Sequence, residues 1–250
     1  MGFEAQAASF AERGYAVFER ALAGEHLDLL RAECDAFVAR EDARMDAAGV
    51  ESLGLSHRGR RYFANECQRE QPALRRVLFD PVMADVCRAT LGPTAYFFFD
   101  QYVVKGSEGG LPFSWHQDSG YVVGNGGPAD HLPYLTCWCP LDDATIDNGT
   151  VRLVPGSHRG GIVPHDRQAA SNDLAASVDE DAAVAVEVPA GSIVAFSSLT
   201  LHATGANRTE RPRRVYLAQY TAEAMLNPGT RQLRRNAIAL LQGDRQVTFA

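Results

Sequence analysis

A chain of 250 residues, 46% hydrophobic and 22% charged, has the length and balance of a folded protein with one sizeable core rather than a disordered chain. Its formal net charge of −7 excludes a broadly basic surface, so neither nucleic acid nor anionic lipid is an expected partner. No apolar run approaches the roughly 20 residues of a membrane span, and the opening MGFEAQAASF lacks the basic start and apolar core of a secretory signal.

The elements are taken in chain order. GEHLDLLRAECDAFVAREDARM spaces Leu27, Leu30, Cys34, Phe37 and Val38 as one apolar face of a helix. QPALRRVLFDPVMADVCRATLG predicts two short helices interrupted at Pro81 and stopped by Gly92-Pro93. From Ala95 the texture changes: AYFFFDQYVVK is aromatic and β-branched, as a mostly buried strand is. LPYLTCWCPL, GTVRLVP, AVAVEV, GSIVAF and RRVYLAQY follow as further strands, separated by Asn-Gly, Pro-Gly and Pro-Ala-Gly punctuation.

Short strands joined by turns, with helices gathered at the front, predict an antiparallel sandwich or barrel; strands and helices do not alternate, so a doubly wound nucleotide-binding sheet is disfavoured. The expected organisation is a single domain over 1–250. Residues 1–92 would be a helical support, 93–222 the β core and 223–250 a C-terminal extension. Residues 40–60 and 160–182 are polar or rich in small residues and are expected as mobile loops framing a site. Five cysteines, an odd number scattered through the chain, predict reduced thiols and a cytoplasmic protein. Cys137 and Cys139 could share a face as soft ligands, but with no third ligand nearby they read as packing.

The stretch LPFSWHQDSG carries the chemistry. In extended chain, positions i and i+2 project to one side, so His116 and Asp118 converge. Two groups hold a divalent metal poorly, and the best third is His202, in SSLTLHATGAN after the strand GSIVAF. Two histidines and one carboxylate on one face of a metal leave positions open, the arrangement of non-haem Fe(II) oxygenases. Eleven residues on, Arg213 stands at the head of a late strand, where a guanidinium can grip a carboxylate. Alternation puts Arg213 with Val215 and Leu217, and Arg214 with Tyr216 and Tyr220, without saying which face is interior.

The segments ERGYAVFERAL, FDQYVVK, WHQD, TCWCPLDDATIDNGTVRLVPGSH and LHATGANRTERPRR, in this order, resemble the phytanoyl-CoA dioxygenase family of Fe(II)/2-oxoglutarate oxygenases over most of the chain. The resemblance implies a double-stranded β-helix, or jelly roll, braced by helices. It implies iron ligation by His116, Asp118 and His202, and makes Arg213 the partner of the distal carboxylate of 2-oxoglutarate. Thr204 matches a hydroxyl position beside the same carboxylate, and Lys105, Trp138 and Thr136 match positions near the cosubstrate. A solvated strand end, a core aromatic and ordinary strand hydroxyls are the plain alternatives for these four. His158, in the PGSH turn, is expected to be structural.

The implied reaction is O₂-dependent hydroxylation of an unactivated C–H in a small metabolite or natural-product intermediate, with release of succinate and CO₂. Desaturation, epimerisation, cyclisation, or a non-catalytic 2-oxoglutarate-binding module are the alternatives. The carboxylate of Asp118 favours hydroxylation over halogenation. Arg58, Arg60 and Arg61 are either contacts for an acidic substrate or a solvated patch. No heptad or exposed apolar face points to an oligomer.

Overall fold

The structure is a computed structural model, and it describes residues 3–107, 109–168, 173–226, 230, 237–243 and 245–247. In chain order the main elements are α1 (Glu4–Arg13), β1 (Tyr15–Phe18), α2 (Gly24–Ala48), β2 (Arg61–Asn65), α3 (Pro81–Thr90), β3 (Ala95–Lys105), β4 (Phe113–His116) and α4 (Asp118–Gly124). There follow β5 (Leu135–Pro140), β6 (Val151–Leu153), β7 (Val184–Ala185), β8 (Ile193–Ser197), β9 (His202–Thr204), β10 (Arg213–Thr221) and β11 (Ile238–Gln242).

The large sheet runs β1-β8-β5-β10-β3-β2, with the hairpin of Ser52–Leu53 and Ser56–His57 continuing its edge and β11 joining the other end of β3. The small sheet runs β7-β6-β9-β4, and every pairing is antiparallel. Between the sheets Trp138, Val151, Leu153, Val194, Phe196, Val215 and Leu217 pack as one cluster. The opposite face of the large sheet buries Phe18, Cys137, Cys139, Tyr216 and Ala218 against Leu30 and Cys34 of α2 and Met83 and Val86 of α3. This is the antiparallel sandwich that the strand pattern predicts, and the jelly roll braced on one side that the resemblance implies. Cys137 and Cys139 lie in the helix-facing core and all five cysteines are free, so the CWC motif is packing.

Two boundaries differ from expectation. The first 92 residues are not simply helical, because β1 and β2 are members of the large sheet. Both are short and flanked by helical sequence, so no period of two develops. Helix α2 runs to Ala48 and stops at Gly49 in the left-handed conformation, because buried Glu41 and Met45 extend its inner stripe into the stretch expected as loop. As expected, two short helices are divided at Pro81: Arg75–Leu78 precedes it and α3 opens on it, where its missing N–H costs nothing and Asp80 caps by accepting from the Val82 N–H at 2.8 Å. Part of the expected C-terminal extension and of the 160–182 loop falls outside the described residues. What is described of the loop includes the short paired strands Asp166–Arg167 and Leu174–Ala175.

Candidate active site

His116 closes β4 and His202 opens β9, and the two are register partners across the small sheet, with ring centroids 4.1 Å apart. The ladder stops at His116. Gln117 is still extended and Asp118 is the first residue of α4, so the carboxylate reaches the imidazoles at a strand-to-helix turn rather than along a continuing strand. Asp118 Oδ1 lies 3.6 Å from His116 Nε2 and 3.5 Å from His202 Nε2. Bonds of about 2.1 Å to one divalent ion place neighbouring ligand atoms about 3.0–3.4 Å apart, so small adjustments seat a metal here.

Both imidazoles are already oriented for that task. His116 Nδ1 donates to the Ser114 carbonyl at 2.8 Å, and His202 Nδ1 donates to the Thr200 carbonyl at 2.9 Å. A carbonyl only accepts, so the proton sits on Nδ1 and each Nε2 lone pair faces the carboxylate. The second oxygen of Asp118 is occupied: Thr136 donates to Oδ2 at 2.5 Å, and Gln219 Nε2 lies 3.4 Å from Oδ2 and 3.1 Å from the Thr136 hydroxyl. Burial alone would raise the Asp118 carboxyl, but His202, His116 and Thr136 together hold it down to about 2. Burial, then the neighbouring His116, pushes His202 down to about 4, which keeps it the neutral base a metal needs.

Gln117, fully buried between the two ligands, fixes the turn. Its side chain donates to the carbonyls of Gly161 and Leu199, each at 2.7 Å, and accepts from the Val163 N–H at 2.9 Å. Its backbone N–H donates to His165 Nε2 at 3.0 Å. The His165 ring occupies the space a side chain at residue 120 would need: a Cβ there would meet it at 2.6 Å, so only glycine fits. His131 contacts the Ser119 hydroxyl at 3.0 Å, which pins the following loop beside α4. His158 packs against Gly14 at the α1–β1 junction, away from the metal ligands, in agreement with a structural role.

Arg213 is buried among the inward-facing residues of β10. Its guanidinium carbon sits 5.4 Å from the Trp138 ring and Nη2 reaches the Gly149 carbonyl at 3.3 Å. Its Nε and Nη1 have no hydrogen-bond partner among the described residues. Arg214, on the other face, is committed to Asp142 and Asp35, so the helices decide which face is interior. Lys105, the register partner of Arg213, is 1% exposed and not a solvated strand end. It donates to the Thr204 carbonyl at 3.3 Å and to the Gly205 carbonyl. The structure therefore gathers His116, Asp118 and His202 directly and brings Arg213, Trp138, Lys105 and Thr204 to the adjoining wall. Thr136 belongs to the metal side, with its hydroxyl spent on Asp118.

The residues fit both implied groups. Three ligand atoms, one each from His116, Asp118 and His202, lie within 4.8 Å of one another. A buried guanidinium with two idle nitrogens is a deficit that a carboxylate fills, with paired charge-assisted hydrogen bonds. Sequence reasoning did not find Gln117, His165, Gln219 or the Arg61–Asp173 ion pair. The only available signal was Gly120 directly after the H-x-D triplet, a glycine where a short helix would not otherwise need one.

Among curated proteins, ectoine dioxygenase of Bordetella bronchiseptica is 27% identical, the match covering 89% of this chain and 77% of that protein. Among solved structures, EvdO2 from Micromonospora carbonacea var. aurantiaca complexed with 2-oxoglutarate is 22% identical, with a TM-score of 0.71, and the match covers 92% of this chain and 96% of that one. EctD from S. alaskensis with 2-oxoglutarate and 5-hydroxyectoine is 25% identical, with a TM-score of 0.67 over 93% of this chain and 78% of that one. The family model for phytanoyl-CoA dioxygenase (PhyH) matches residues 10–215, most of the chain. No described helix is long and apolar enough to cross a membrane. With that match over the barrel, its helical brace and the site, the chain belongs to the phytanoyl-CoA dioxygenase family of iron- and 2-oxoglutarate-dependent oxygenases.

Proposed function

We propose that this enzyme hydroxylates an aliphatic C–H of a small metabolite, with iron held by His116, Asp118 and His202 and 2-oxoglutarate anchored by Arg213. Bound together, ferrous ion and 2-oxoglutarate activate O₂ at the cost of the keto acid, which leaves as succinate and CO₂. The chain's own contribution is placement. The Nδ1 contacts to Ser114 and Thr200 fix both imidazoles, and Thr136 restrains Asp118 so that one oxygen faces the metal. Trp138 packs beneath the Arg213 guanidinium and keeps that end of the pocket dry. Thr204 and Lys105 stand beside it as further contacts for the keto acid.

The observation that carries this reading is Arg213, buried and two-thirds unpaired on the wall next to the triad. Hydroxylation is favoured because Asp118 supplies the third ligand as a carboxylate, leaving no protein-made space for a halide. Likeness to ectoine dioxygenases supports a small, polar metabolite as substrate. The test incubates the protein with Fe(II), 2-oxoglutarate and O₂ against a metabolite library and follows succinate. Wild type is expected to release succinate with a subset of compounds and Asp118→Ala to release none. Full turnover by Asp118→Ala would remove Asp118 from the ligand set.

A further inference from the structure

The stretch from Arg58 to Arg61 divides in the structure. Arg58 turns to Asp42, Asp46 and Glu51 on the surface, and Arg60 is exposed. Arg61 is 2% exposed and its register partner on β3 is Lys105, whose partner on β10 is Arg213. Three cations therefore cross the barrel wall in one row. With strands about 4.8 Å apart, the outer two backbones are about 10 Å apart, so a carboxylate gripped by Arg213 does not also satisfy Arg61.

The surroundings of Arg61 hold its guanidinium still and leave one end open. Nε donates to the Leu55 carbonyl at 3.2 Å, and Nη1 pairs with Asp173 Oδ2 at 3.2 Å. The guanidinium carbon lies 5.3 Å from the Phe63 ring and 5.7 Å from the Phe113 ring. Phe113 in turn packs on His116 with centroids 4.8 Å apart, so the arginine is one ring away from a metal ligand. Its Nη2 is buried and has no hydrogen-bond partner among the described residues.

We propose that Arg61 Nη2 binds an anionic group of the substrate, a carboxylate or its equivalent, and so selects small monoanionic metabolites for oxidation. This rests on the oxygenase reading above. The anion docks on the far side of Phe113 from the metal, and the carbon to be oxidised reaches past that ring toward His116.

The test uses the full-length protein loaded with Mn(II) and 2-oxoglutarate without oxygen. Matched acid and primary-amide pairs (benzoate and benzamide, hexanoate and hexanamide, proline and prolinamide) are titrated by calorimetry. At least one acid is expected to bind tenfold or more tightly than its amide. Arg61→Gln should cut that preference below twofold while changing 2-oxoglutarate affinity less than threefold, and Arg61→Lys should restore part of it. Asp173→Asn breaks the ion pair but keeps the guanidinium, and should retain the preference. Three results overturn the proposal: no acid preferred over its amide in wild type, a preference that survives in Arg61→Gln, or one lost equally in Asp173→Asn. Failure of wild type to bind 2-oxoglutarate at all would instead overturn the oxygenase reading.

Discussion

At position 213 a guanidinium is buried with two nitrogens idle, an expensive arrangement unless an anion completes it. Replacing it with an isosteric apolar chain removes the attraction and leaves the metal ligands alone. Arg213→Met is expected to weaken 2-oxoglutarate binding by roughly 100-fold, the worth of a paired charge-assisted contact of about 2–3 kcal/mol. Mn(II) affinity, titrated in parallel, should stay within a few fold. A second test sits at Gly120, where a Cβ would lie 2.6 Å from the His165 ring. Gly120→Ala should push that ring away, release the Gln117 N–H it accepts from, and cost about 10–100-fold in Mn(II) affinity, as loss of such outer contacts does. Unchanged affinity would mean that the turn holds its shape without His165. The triad that the structure gathers was legible because H-x-D and the distal histidine stand in the order that the family resemblance supplies. Arg213 was legible as a candidate and undecided against Arg214, since alternation assigns faces but does not say which one the helices cover.

Elements were read well where a period had room to develop. The eleven residues of β3 and the long stripe of α2 announce themselves, whereas β1 and β2 give too few alternations to stand out from helical neighbours. The small strands matter most for function: β4 and β9 are short, yet their one register pair, His116 opposite His202, makes the metal site. No sequence pattern encodes that pairing, because register is set by how the whole sheet closes. Turn chemistry was more readable, and α3 shows how much it contributes. Asp80 accepts from the Val82 N–H and also lies 3.6 Å from His26 of α2, so it ends one element and touches another. Asp80→Ala should lower the unfolding free energy by about 1 kcal/mol, the usual loss for an N-cap, seen as a lower urea midpoint at unchanged slope. A midpoint equal to wild type would show that Pro81 alone is enough to start the helix.

At the scale of the molecule, the row Arg61–Lys105–Arg213 makes stability depend on pH. Burial first, then the neighbouring Arg213 and Arg61, pushes the Lys105 ammonium down to about 6 from its ordinary 10.5. Between these values the folded protein holds this lysine neutral while the unfolded chain binds a proton. Stability is therefore fully present above pH 10.5 and is lost as pH falls toward 6, with a limiting slope of about 1.4 kcal/mol per pH unit. The buried Asp100 carboxyl, raised to about 6 mainly by burial, works in a separate window. Its contribution is present below pH 3.8 and is already lost by pH 7. From pH 7 to 9 the Lys105 effect is therefore not confounded by Asp100. Burial also raises all five cysteine thiols above their ordinary 9.0, which lowers stability toward pH 9 equally in wild type and variant. In urea unfolding of the metal-free protein, the wild-type slope with pH should therefore exceed that of Lys105→Met by about 1 kcal/mol per pH unit. If Arg213 anchors 2-oxoglutarate as proposed, the keto acid's carboxylate would supply the missing anion once it and Mn(II) are bound; Lys105 should then keep its proton and the wild-type slope approach that of the variant. Equal slopes for wild type and Lys105→Met without ligand would show that the lysine stays charged in the barrel, balanced by a group other than Asp173.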